Sequence, residues 1–169
     1  MTESVRADGR EIVEMLRNVQ FLREVSDELI LQLAGISQAI DFPAGSVVFR
    51  QGEPARTIFL VVEGEVVLEL CAAGVGCRRI LTVGPGDLLG WSPVLENERL
   101  TATARTVEAT RLIALDGAQL RSMGERSPRL GYEFMKRAAL ALAKRLTATR
   151  MQLVDVYGSQ MPASLDSAE

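Results

Sequence analysis

The stretch Gly84-Pro85-Gly86-Asp87-Leu88-Leu89-Gly90-Trp91-Ser92-Pro93-Val94-Leu95 decides how this chain is read. A glycine-rich turn leads to a short apolar step, a further glycine and a helix start. Ser92 suits an N-cap. Pro93 suits the first helical position, where its fixed φ fits and its missing N–H costs nothing. The helix is short, about one turn, because Asn97 and a charged run follow it. Leu100 to Arg105 then reads as a strand. A glycine that admits close backbone approach, with helix N–H groups beyond it, is a candidate anion cradle.

The surroundings of that stretch are β-rich. Between Ile36 and Thr110 short runs alternate with Gly or Pro turns at nearly regular spacing, as in Phe42-Pro43-Ala44-Gly45, Gln51-Gly52-Glu53-Pro54, Glu63-Gly64-Glu65 and Gly74-Val75-Gly76. The runs are Val47–Arg50, Ile58–Val62, Val66–Cys71, Arg79–Val83, Thr101–Thr106 and Arg111–Leu115. Many short strands with regular turns predict a barrel or jelly roll. The glycines are read as turn formers.

On both sides the period becomes helical. Residues 1–8 read as a disordered N-terminus. Asp8 and Glu11 make a capping-box-like start for a helix through Ile12, Val13, Met15 and Leu16. Asn18 to Val25 is a short turn holding Phe21 and Leu22. Ser26 caps a second helix with Asp27 and Glu28 in its first turn, buried through Leu29, Ile30 and Leu33 and ended by Gly35. After Asp116 a short helix runs to Met123. Ser127-Pro128 then starts a long one that continues to about Tyr157. Along it Met135, Ala139, Leu142, Leu146, Thr149, Leu153 and Val156 alternate spacings of four and three. That 3.5-residue period is a coiled-coil seam, so the helix is expected to meet its twin in a parallel two-fold homodimer. The alternative is a helix packed only within its own subunit. Gly158 to Glu169 is small and polar and reads as a disordered tail. The expected organisation is one domain over 9–157, with N-terminal helices over 9–35, a β-roll over 36–116 and C-terminal helices over 117–157.

Composition narrows the function. A chain of 169 residues is an ordinary single domain with room for a core. No run approaches the roughly 20 apolar residues of a membrane span, and the N-terminus lacks a signal-peptide core, so the cytoplasm is expected. There is no histidine, which excludes His-based triads and the usual His-containing metal sites. Cys71 and Cys77 flank a turn, and a hairpin there would bring them face to face. They are read as two half-buried small residues in a reducing compartment, with a redox pair as the alternative. The formal net charge is -3, yet residues 117–157 are basic. These charges fall between apolar heptad positions and read as a solvated helix face. No acid–base constellation accompanies the glycine-rich stretch, so no catalytic residue is assigned.

Gly86, Asp87, Gly90, Val94, Leu95, Thr101, Ala102, Thr103 and Arg105 match the phosphate-binding cassette of cyclic-nucleotide-binding domains, and the chain resembles the Crp/Fnr (catabolite activator) family over about residues 15–157. Asp41 to Gly45 and Val61 to Glu65 also look like the first half of that family's β-roll. The resemblance implies a mainly β fold: a double-stranded β-helix, or jelly-roll barrel, with N-terminal helices and a long C-terminal dimerisation helix. It implies a ligand site drawn from Gly86, Asp87, Gly90, Trp91, Ser92, Arg99, Leu100, Thr101, Ala102 and Thr149. Thr149 matches a family threonine that touches the base, or it is a polar seam residue that sets register.

Three positions depart from the cassette. The family's ribose-binding Glu falls on Trp91, its phosphate-binding Arg on Leu100, and an Ala whose N–H faces the phosphate on Pro93. Arg99 lies one residue away, on the opposite face of a strand. Losing a buried charge-assisted Arg–phosphate pair costs about 2–5 kcal/mol. Losing a hydrogen bond to a carboxylate costs about 1.5–3 kcal/mol more. Cyclic nucleotide is therefore disfavoured as a ligand, and no other cofactor or metal is expected. Trp91 either plugs the sugar space or stacks a flat ligand, with Arg99, Arg78 or Arg79 supplying charge. The expected function is a stand-alone, non-catalytic, dimeric regulatory or sensor module. It would act on an unidentified partner protein, with no membrane and no DNA partner, since no helix-turn-helix follows. The alternatives are a structural protein with a plugged pocket, or a Crp/Fnr-type transcriptional regulator lacking its helix-turn-helix.

Overall fold

Eight antiparallel strands form two four-stranded sheets in the computed structural model, which describes residues 8–95 and 99–160. The strands are β1 (Ser37–Phe42), β2 (Val47–Phe49), β3 (Thr57–Glu63), β4 (Val66–Ala72), β5 (Gly76–Val83), β6 (Leu88–Leu89), β7 (Thr103–Thr106) and β8 (Thr110–Asp116). The first sheet runs β1-β8-β3-β6 and the second β2-β7-β4-β5. The helices are α1 (Gly9–Asn18), α2 (Asp27–Ala34), α3 (Gly117–Arg126) and α4 (Pro128–Tyr157). This is the jelly roll with flanking helices and a long C-terminal helix that the sequence predicts.

The continuous apolar runs in β3 and β8 explain the layering. Successive residues on a strand face opposite sides. Ile58, Leu60, Ile113 and Leu115 join a cluster with the helices, which includes Leu16, Leu29, Leu33, Leu130 and Phe134. Phe59, Val61, Leu112 and Ala114 face the barrel interior with Phe42, Phe49, Val66 and Leu100. A strand buried on both faces loses its polar alternation, and these two strands form the wall between the two cores.

The helices are fastened at named points. The Ser26 hydroxyl accepts from Leu29 N and donates to Glu133 Oε2 on α4 at 2.8 Å. A carboxylate from α4 therefore completes the N-terminus of α2, where negative charge is favoured. Phe21 and Phe134 meet edge to face with ring centres 5.5 Å apart. On the helix-facing side of the first sheet, Arg111 clamps Asp41 across the β1–β8 pair at 2.7 and 3.0 Å and lies 3.9 Å from Glu11 of α1. The Arg111 guanidinium holds the Asp41 carboxyl below the usual aspartate range, against a smaller opposing push from burial. A depressed carboxyl pKa stabilises the fold above its unfolded value and stops doing so as pH falls through the folded value. Stability is thus expected to fall below the ordinary aspartate range, and Asp41→Asn to remove part of that acid sensitivity. Both groups are about a third exposed, so solvent screening limits the loss to about 1 kcal/mol or less. Urea unfolding of both proteins at several pH values checks it.

The structure corrects several details. β1 and β6 are strands where the sequence reading has only turn-flanked or apolar residues. β5 begins at Gly76 rather than Arg79, and β7 at Thr103 rather than Thr101, with Thr101 and Ala102 in a bend. Asp8 precedes α1 without a side-chain cap bond. The Ser92-Pro93 turn is a 3-10 helix over Ser92–Leu95 that includes Ser92 itself. Gly158–Gln160 is a 3-10 turn rather than tail, because it continues α4. Cys71 and Cys77 are joined in a disulfide, in place of two unlinked residues. They stand directly opposite in the β4–β5 register with Cα atoms 4.0 Å apart. Residues 1–7, Asn97 and the tail from Met161 onward lie outside the described residues.

Candidate functional site

The cassette stretch lies against the open edge of the first sheet. Gly86 N donates to Val61 O and Val61 N donates to Asp87 O, so the turn is sewn to β3. Asp87 Oδ2 accepts from Gly84 N at 3.0 Å and closes the turn on itself. Gly90 has φ 64, and a Cβ there would sit 2.9 Å from Thr57 O. Only glycine allows that approach. The short helix is held from below by Arg121 of α3, which donates to Pro93 O at 2.8 Å.

The candidate residues separate into three places. Gly90, Trp91, Ser92, Leu100, Thr101 and Ala102 line one cavity together with Phe49, Leu68 and Arg145. Gly86 and Asp87 lie outside it, in a second cleft against α4. Arg99 is exposed and turned away: it pairs with Pro54 and donates to Gly52 O at 2.7 Å. Arg78 and Arg79 are exposed on the edge strand β5. Thr149 is exposed on α4 and is in neither lining set. The coiled-coil seam residues are exposed on the single chain except Leu142, which is half-buried.

The shared cavity is nearly filled. Its volume is about 30 Å³, whereas pockets that hold small ligands run to about 300–1,000 Å³. Trp91 is half-buried and packs against the helical core. Leu100 is 7% exposed and belongs to the barrel core. Its N–H and C=O are both used, by Glu53 O and Gly52 N. Apolar side chains thus occupy the positions where the resembled cassette carries its carboxylate and its guanidinium.

One cation does reach the cavity, and it comes from α4. Arg145 donates to the carbonyl of Leu88 and lines both the filled cavity and the outer cleft. Burial holds its guanidinium below the ordinary arginine value, with the Asp87 carboxylate pulling the other way. The sequence reading misses Arg145. The signal is nevertheless present. Phe134, Ala138, Ala141, Arg145 and Ala148 form a stripe one residue before the seam positions, and Arg145 is its one cation. Among the described residues no group of three or more His, Cys, Asp or Glu is placed to hold a metal. No helix among them is long and apolar enough to cross a membrane.

Comparison with known proteins agrees with this geometry. The chain matches the family described as cyclic nucleotide-binding domain over residues 39–127. It is 28% identical over 150 residues to a CRP-like cAMP-activated global transcriptional regulator of Mycobacterium tuberculosis, covering 88% of this chain. The chain spans 65% of the length of that regulator. A solved structure from Geobacter metallireducens superposes with a TM-score of 0.70 at 32% identity, over 79% of this chain and 96% of that one. A cyclic nucleotide-binding domain from Methylobacillus flagellatus superposes with a TM-score of 0.73 over 93% of this chain and 86% of that one, at 20% identity.

Proposed function

The chain belongs to the cyclic nucleotide-binding domain family, and from that premise we propose that it is a non-catalytic sensor module whose cassette does not hold cAMP or cGMP in the usual way. The carrying observation is Leu100, buried in the barrel core where the resembled cassette places its phosphate-binding arginine. The cavity beside it, of about 30 Å³, leaves no room for a sugar. The module works in the cytoplasm as a homodimer through α4, whose exposed Met135, Leu146, Leu153 and Val156 form one stripe. Its readout is the position of α4, which Arg145 ties to the cassette at Leu88. A ligand that favours one placement of α4 over another shifts the populations and is passed to a partner protein.

Thermal unfolding with and without nucleotide tests this, with Trp91 fluorescence as the probe. A ligand at a hundredfold excess over its dissociation constant adds about 2.7 kcal/mol of stability. No upward shift is expected with micromolar cAMP or cGMP. A clear shift with either would show the cassette to be competent and would sink the proposal. Sedimentation of the same samples tests the dimer, and a monomer at all concentrations would remove that part of it.

A further inference from the structure

We propose that the chain carries a second binding site, for a small organic anion with an apolar body, in the cleft between the Gln20–Leu22 turn, the Gly84–Asp87 turn and α4. The site is separate from the cassette cavity and shares only Arg145 with it. Its volume is about 340 Å³, within the range of pockets that hold small ligands. The shape is built in. Gly86 has φ 90, and a Cβ there would lie 2.9 Å from Gln20 Cβ, so glycine lets the two turns close the end of the cleft.

Charge gives the class of ligand. Arg137, Lys144 and Arg145 line the cleft along one helix, against a single carboxylate, Asp87. Asp87 is already engaged with Gly84 N. Arg137 lies 3.6 Å from Glu24, whose side chain is 87% exposed, a pair that water screens heavily. Arg145 is the most demanding of the three. A guanidinium offers five N–H donors, and among the described residues its recorded bond is to the Leu88 carbonyl, with no carboxylate at ion-pair distance. A partly buried cation whose nearest carboxylate stands beyond ion-pair distance favours an incoming anion. The remaining walls are apolar, formed by Phe21, Leu81 and Leu140, and Leu140 is 50% exposed. An inorganic anion would leave those walls wet, whereas a carboxylate, sulfonate or phosphate on an apolar body satisfies both halves.

The test uses 1-anilinonaphthalene-8-sulfonate, a sulfonate on fused apolar rings, titrated by fluorescence against the full chain. Saturable binding that weakens with added salt is expected. Lys144 is exposed, so Lys144→Glu should keep the fold, checked by thermal unfolding, while weakening the dye by about tenfold or more, the scale of one charge-assisted contact. Arg145→Gln should weaken it at least as much. Arg150→Glu makes the same charge change on exposed α4 outside the cleft and should leave binding unchanged. Equal effects of Lys144→Glu and Arg150→Glu would reduce the result to general electrostatics and overturn the site. So would a dye signal that never saturates. Neither result depends on what cAMP does at the cassette.

Discussion

Phe134→Ala is expected to destabilise the protein by about 3–5 kcal/mol, the range for removing a buried Phe. Phe134 is 1% exposed and is among the largest fully buried side chains. It stacks edge-on against Phe21, a geometry worth about 0.5–1.5 kcal/mol beyond area alone. It is also the main apolar fastening of α4 to the body of the domain, between Leu130 and Ala138. Against a total stability of about 5–15 kcal/mol for a domain, this is a large share. Urea unfolding measures it, with Lys136→Ala, two residues on and exposed, as a comparison expected to stay within about 0.5 kcal/mol. A loss for Phe134→Ala below about 1.5 kcal/mol, less than fully burying an apolar side chain is worth, would mean that α4 is held by something else.

The second large effect is a gain. Leu100→Arg alone buries an unpaired guanidinium in the barrel core, and an uncompensated buried charge costs about 3–5 kcal/mol. Trp91→Glu beside it empties the space that the indole fills and places a carboxylate at the sugar position. In the double variant, cAMP should raise the unfolding temperature, because its phosphate supplies the missing counter-charge. The unmodified chain should not respond. The two restored contacts, at about 2–5 and 1.5–3 kcal/mol, correspond to three or more orders of magnitude in affinity. Pro93, which offers no N–H, keeps the gain below a full repair. No response in the double variant would place the cause of the departure elsewhere than Trp91 and Leu100.

Much of the fold was legible because its signals are local. Ser26 caps α2 through its own hydroxyl, and Gly and Pro turns mark strand ends. β1 and β6 were harder to read. β1 begins two residues after Gly35, which ends α2, and β6 has only two residues. A period of two needs more chain than that to show. The cassette stretch was legible as a motif, and its departures at Trp91, Pro93 and Leu100 were readable position by position. Arg145 was not, since its role depends on tertiary packing. On α4 two stripes run side by side, one residue apart. The heptad rule picks out Met135, Leu142 and Leu146. The neighbouring stripe of Phe134, Ala138, Ala141 and Arg145 is the one that packs on the domain. Cys71 and Cys77 were legible as facing residues, but their bond follows from a hairpin register that sequence alone does not fix.

The length of α4 has a mechanical meaning. From Leu146 onward every residue of it is exposed, although Ala148 still lines the cleft. Arg145 stands eleven residues beyond the Phe134 fastening, and Tyr157 stands twenty-three beyond it. At about 1.5 Å of rise per residue these are arms of about 16 and 34 Å. A tilt about Phe134 that moves Arg145 by a given amount therefore swings the tip about twice as far. A helix that tilted in this way would be a lever with its fulcrum in the core, and the two cavities lie beside its short arm.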